Sequence, residues 1–146
     1  MYKTLWGLNT VSLRYFNVFG ERMPCKGQYA PVIGVFLRQK SEGVNLTIVG
    51  DGLQSRDFIH VKDVVEANIA AAFNKDCYGN SYNIGSGKAY SVLEIAKLIS
   101  KNYIHIDTRI GEARNTLADV TKFQKDTSWR PKVSLAEWLE TQVKTS

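Results

Sequence analysis

Short runs of β-branched and aromatic residues alternate with stretches of helical period along the whole chain, and most of the helical stretches carry their own start signal. A chain patterned this way must pack helices on sheet, in an α/β or α+β layer arrangement. The strand-like runs are 11–19 (VSLRYFNVF), 46–49 (LTIV), 58–61 (FIHV), 81–84 (SYNI) and 104–106. Residues 11–19 read as one buried strand. Pro31 opens a helix over 31–40, which Gly43 ends. Asp63-x-x-Glu66, Ser91-x-x-Glu94 and Ser134-x-x-Glu137 have capping-box spacing, with Asp63 capping a helix that runs to Phe73. Asp119 is placed to cap a short helix over 120–127, and Pro131 separates it from the last one.

With 146 residues the chain is expected to be a single domain with a core that needs no staples. Its net charge of +5 suits an anionic ligand, but the basic residues are scattered and form no long run. That argues against a nucleic-acid partner. No apolar stretch is long enough to span a bilayer, and MYKTLWGLNT has no apolar core of secretory length. The two cysteines, Cys25 and Cys77, have neither CxxC nor metal spacing, so a reducing, cytoplasmic setting and no metal are expected.

The stretch 44–61, VNLTIVGDGLQSRDFIHV, carries the strongest chemical pattern. A strand meets a tight turn at Gly50-Asp51-Gly52, and a single arginine, Arg56, precedes a second strand. Such a turn brings backbone close to a ligand, and a guanidinium offers a rigid fork of donors to phosphate oxygens. Asn17, at the end of an apolar strand, would need partners for its amide: a ligand phosphate or sugar hydroxyl, or a turn of the chain itself. Arg109, two residues before Gly111, fits a ligand contact and a solvated salt bridge equally well. Arg14 is expected to be buried with a carboxylate. His60 and His105, each within an apolar run, read as hydrogen-bonded structural residues. Tyr29 and Phe36 share a helical spacing, which implies core packing or a stacking surface for a base. Gly85-Ser-Gly87, with Asp107 beyond it, has the outline of a dinucleotide-binding turn, but Tyr90 stands where the third glycine belongs. An ordinary strand-to-helix loop is the alternative there.

Leu13-Arg14-Tyr15-Phe16-Asn17-Val18-Phe19-Gly20 resembles a segment of the NAD-dependent nucleotide-sugar epimerases, within the extended short-chain dehydrogenase/reductase family. LTIVGDG at 46–52, SRDFIHVKDVVEAN at 55–68, YNIGSG at 82–87, RIGEARNTLADVTK at 109–122 and Trp129-Arg130-Pro131 follow in the family's order and spacing. The match looks closest to the UDP-sugar 4-epimerases, and the sugar-nucleotide 4,6-dehydratases share parts of it. The resemblance implies a nucleotide sugar as ligand. It makes Asn17 a diphosphate contact, Arg56 the main phosphate arginine, Arg109 the second, and Glu112 the acid that orients Arg109 and the ribose. The strand backbone at Leu46, Thr47 and Val49 would lie along the uridine, with Phe36 near the base.

The same family places a glycine-rich NAD loop and a Tyr-x-x-x-Lys pair ahead of these segments. Neither occurs here, since no tyrosine has lysine four positions on. The fold expected is therefore α/β, the C-terminal substrate-binding portion of an extended Rossmann-type epimerase without its dinucleotide-binding half. Within the single domain, 1–20 would be a remnant of the Rossmann sheet edge, and 21–146 the substrate-binding region with a returning strand near 82–84. NAD is implied by the family but would be held elsewhere, so this chain supplies no catalytic or cofactor-binding residue and is not expected to carry out hydride chemistry alone. The alternative is a non-enzymatic binding or assembly module that keeps the fold. An apolar face left bare by the missing half would make the chain a homo-oligomer or the partner of that half.

Overall fold

The computed structural model describes residues 2–27, 29–108, 111 and 113–144. The first apolar run is two strands, β1 (Ser12–Tyr15) and β2 (Asn17–Phe19), which part at Phe16 and take different partners. β1 pairs in parallel with β5 (Ser81–Ile84), while β2 pairs in parallel with β4 (Ser55–His60). β4 is also antiparallel to β6 (Ala89–Ser91), and β3 (Leu46–Val49) is parallel to β7 (Tyr103–Ile106). A single buried strand over 11–19 is thus not what forms. β1 has a neighbour on one edge only, and Ser12, Arg14 and Tyr15 are exposed. Arg14 is correspondingly not buried with a carboxylate: its Nε donates to Asn83 Oδ1 at 3.0 Å in the open.

The helices are α1 (Tyr2–Trp6), α2 (Val32–Ser41), α3 (Val61–Phe73), α4 (Val92–Ile99), α5 (Thr121–Thr127) and α6 (Leu135–Lys144). The Ser91 capping box forms as the spacing predicts: Glu94 N–H donates to Ser91 Oγ at 3.1 Å, and Ser91 N–H to Glu94 Oε2 at 2.7 Å. The Asp63 box does not. His60 caps α3 instead, its Nδ1 accepting from Lys62 N–H at 3.2 Å. Asp63 lies within the first turn, where its buried carboxylate accepts from Lys132 and Val133 N–H at 3.0 and 3.1 Å. A carboxylate on the inward face finds better donors in a distant segment than in its own helix end, and no local spacing rule reports that. His60 is buried between the rings of Phe19 and Trp138. Burial holds its pKa below the ordinary histidine value of 6.5, against the opposing pull of Glu21 and Asp63.

β4 is covered on both faces, and its alternation feeds two cores. Phe58 points into one with Phe19, Ile33, Phe36, Leu46, Ile48 and Ile95, under α2, α4 and α6. Ile59 points into the other with Val64, Tyr82, Ile84, Phe123 and Trp129, under α3 and α5. One surface has no such cover. On α3, Val65, Ile69 and Phe73 form an outward stripe, with Phe73 85% exposed. It adjoins β1, since Tyr15 Oη donates to Asn68 Oδ1 at 2.8 Å. Leu5 and Trp6 of α1 are exposed as well. No helix among the described residues is long and apolar enough to cross a membrane. Nor do these residues hold a cluster of His, Cys, Asp or Glu suited to a metal.

Candidate functional site

Strands β2, β3 and β4 and helix α2 line a cleft of about 650 Å³. The β2–β4 register sets Asn17 beside Phe58, and Asn17 Nδ2 donates to Asp57 O at 2.9 Å. One residue earlier on β4, Arg56 borders the same cleft. Its Nη1 donates to Ser55 O at 2.8 Å and to Arg114 O at 3.4 Å. The guanidinium has no carboxylate partner among the described residues. Arg38 and Arg114 differ, each being neutralised by Glu42 and Asp51 respectively. A half-buried guanidinium bonded only to carbonyls is an available anion ligand.

The opposite wall is β3. Leu46 N–H donates to Asn102 O at 3.0 Å and Gly50 N–H to Ile106 O at 2.9 Å. Alternate residues of the strand therefore face β7, and Thr47 and Val49 turn their peptide groups to the other edge, which no strand of the described residues covers. Two of the groups on that edge are taken. Gln39, on α2, accepts from Thr47 N–H at 3.1 Å and donates to Thr47 Oγ1 at 2.9 Å. Gln54 donates to Val49 O at 3.0 Å. Thr47 C=O and Val49 N–H have no partner among the described residues, and both residues line the cleft. Its apolar side comes from Pro31, Val32 and Val35.

Asn17, Thr47, Val49 and Arg56 of the residues expected from sequence therefore share one cleft. Phe36 lies at its floor, but the ring is fully buried in the core, so it supports the wall rather than facing a base. Leu46 is likewise a core residue, and its N–H is spent on the β7 side, so it is not brought to the cleft. Arg109 and Glu112 lie outside the described residues. Tyr29 precedes α2 and is 90% exposed, so it shares no helix face with Phe36.

Three contributors escaped sequence reasoning. Asp57 is fully buried, and its carboxylate accepts from Ser86 N–H (2.7 Å), Ser86 Oγ (2.8 Å), Gly87 N–H (2.9 Å) and Ala118 N–H (3.1 Å). Its neighbour Arg56 drew attention, while an acid within a strand run gives no local signal. Thr116 Oγ1 is buried without a hydrogen bond among the described residues, and the residue borders a hollow shared with Asn17 and Arg56. Gln54 separates the main cleft from a smaller one beside Asp51 and Arg114. There Arg114 grips Asp51 with two nitrogens, at 2.9 and 2.7 Å, and holds that carboxyl down at about 2, with help from Leu53 N–H.

The Asp57 bonds also decide the Gly85–Gly87 question. The amides that would cradle a pyrophosphate are already spent on an internal carboxylate. A side chain at Gly85 would collide with Ala118 Cβ. The turn is a packing joint between β5, β4 and the segment before α5, and it does not fit a dinucleotide.

Residues 1–85 match the family described as NAD dependent epimerase/dehydratase family. A UDP-N-acetyl-alpha-D-glucosaminuronate decarboxylase of Bacillus cytotoxicus is 36% identical, covering 95% of this chain and 46% of its own. An uncharacterised UDP-glucose epimerase of Bacillus subtilis is 34% identical, with 98% of this chain and 46% of its own covered. Among solved structures, UDP-glucose 4-epimerase of Thermotoga maritima with UDP-glucose superimposes with a TM-score of 0.90 at 34% identity, over 98% of this chain and 47% of that one. The chain spans about half the length of the curated relatives it matches.

Proposed function

Because this chain belongs to the NAD-dependent epimerase/dehydratase family, we propose that its cleft binds a nucleoside diphosphate sugar, with UDP as the nucleotide part. One observation carries the proposal: an arginine free of any described carboxylate and the Asn17 amide stand in the same cleft as an open strand edge that offers one acceptor and one donor. A diphosphate suits the first pair, by charge-assisted bonds. The flat imide edge of uracil, a donor beside an acceptor, suits Thr47 C=O and Val49 N–H. The Thr116 hydroxyl would gain from the ligand the bond it otherwise lacks. The resemblance assigns Arg109 as the second phosphate arginine and Glu112 as its orienting acid.

Epimerisation or another reaction of the family would draw its hydride chemistry from NAD. The Gly85–Gly87 turn is occupied by Asp57, so no step is assigned to the described residues beyond holding and orienting the sugar nucleotide. UDP titrated into the chain should raise its melting temperature. At a hundredfold excess over Kd, mass action supplies about 2.7 kcal/mol. For a chain of this size that is a rise of roughly 5–10 °C. No shift at millimolar UDP would leave the binding proposal without support and favour a module that keeps only the fold.

The bare stripe on α3 beside the open edge of β1 is where the rest of an epimerase-length protein, or another copy of this chain, would pack. For the chain by itself we expect concentration-dependent association by light scattering, reduced by Phe73→Glu. A monomer at high concentration in the unsubstituted chain is the contrary result.

A further inference from the structure

The open edge of β3 is selective because two buried glutamines occupy its other groups. Gln39 and Gln54 are 8% and 9% exposed, and each spends an amide nitrogen or oxygen on the backbone of the strand. Gln39 does so twice on one residue, pinning Thr47 at its N–H and its hydroxyl. The two come from different elements, Gln39 from α2 and Gln54 from the segment before β4. They leave a single donor–acceptor set, Thr47 C=O and Val49 N–H.

We infer that Gln39 and Gln54 are positioning residues that fix the register of the base, by masking the neighbouring backbone groups with which a flat heterocycle would otherwise pair. The inference rests on the base site proposed above. Neither glutamine need touch the ligand. A bare strand edge offers pairing groups at every second residue, so a base can slip along it. With Thr47 N–H and Val49 C=O already paired, only one placement satisfies both partners. Removing Gln39 exposes the Thr47 N–H. In the free cleft water would satisfy it; a base kept in the register above would displace that water without replacing its bond, and one that slipped to pair with Thr47 N–H would leave Val49 N–H bare. The alternative is that the glutamines only shield an edge strand from unwanted pairing. Then their loss would lower stability or promote association without regard to the base.

The test compares two ligands, UDP and inorganic pyrophosphate, titrated calorimetrically into the chain and its variants. The unsubstituted chain should prefer UDP. Gln39→Leu should weaken UDP about tenfold, the value of one hydrogen bond left unmade, and leave pyrophosphate within about twofold. Gln39→Glu keeps both bonds, since a carboxylate accepts from Thr47 N–H and from its hydroxyl, and should restore the preference for UDP. An unchanged UDP-to-pyrophosphate ratio in Gln39→Leu overturns the inference, as does a Gln39→Glu that behaves like Gln39→Leu. An unsubstituted chain that binds pyrophosphate with no preference for UDP refutes the base site itself.

Discussion

Replacing Arg56 with alanine is expected to weaken UDP binding about a hundredfold, close to 2.7 kcal/mol, while the chain stays folded. Hydrogen bonds to charged groups are worth about 1.5–3 kcal/mol when the partner is left bare, and the diphosphate would be left so. The cost to the fold is small because, among the described residues, the guanidinium bonds only to the carbonyls of Ser55 and Arg114, near the solvent end of β4. Arg56→Lys should fall between, roughly tenfold weaker than the unsubstituted chain, since it keeps the charge and loses the planar fork. Isothermal titration with UDP, beside a melting curve for each variant, measures both quantities. Unaltered affinity in a folded Arg56→Ala chain would remove the phosphate from this cleft.

Asp57→Ala should cost the fold about 4 kcal/mol, because a buried carboxylate that holds three amides and a hydroxyl would leave them unpaired. Against a total stability of about 5–15 kcal/mol, that brings the domain near unfolding at room temperature. Asp57→Asn keeps one accepting oxygen and should lose about half as much. Urea unfolding monitored by tryptophan fluorescence gives both values. A loss under about 1 kcal/mol in Asp57→Ala would mean that water replaces the carboxylate, and that the loop at 85–87 does not depend on it.

These two neighbours show how unevenly the site could be read from sequence. Arg56 stands alone between a glycine turn and an apolar run, and that isolation marks it as a ligand group. Asp57 follows directly, yet its partners lie about 30 and 60 residues onward, across two sheets, so nothing near it in sequence reports them. Asn17 was legible as an amide in need of partners, and Thr47 only through the family resemblance. That they line one cleft depends on which strands pair. Phe36 stays open between core and base for the same reason, because helical spacing places it on a face without saying whether that face meets core or cleft. The expected capping at Ser91 held because both partners lie within one turn. The one at Asp63 failed because residues 132 and 133 competed for the same carboxylate.

By itself the order of residues determined the alternation of helix and strand, the family resemblance and the polar residues Asn17, Thr47 and Arg56 of the cleft. Those depend on local period and on motifs read in line. The tertiary structure alone decided that β1 and β2 part company at Phe16, that Asp57 fills the loop resembling a cofactor turn, and that two glutamines leave one donor and one acceptor open on β3. Each of these is a contest between polar groups for a limited set of partners. Only packing, by fixing which groups come within hydrogen-bond reach after water has left, determines the winner.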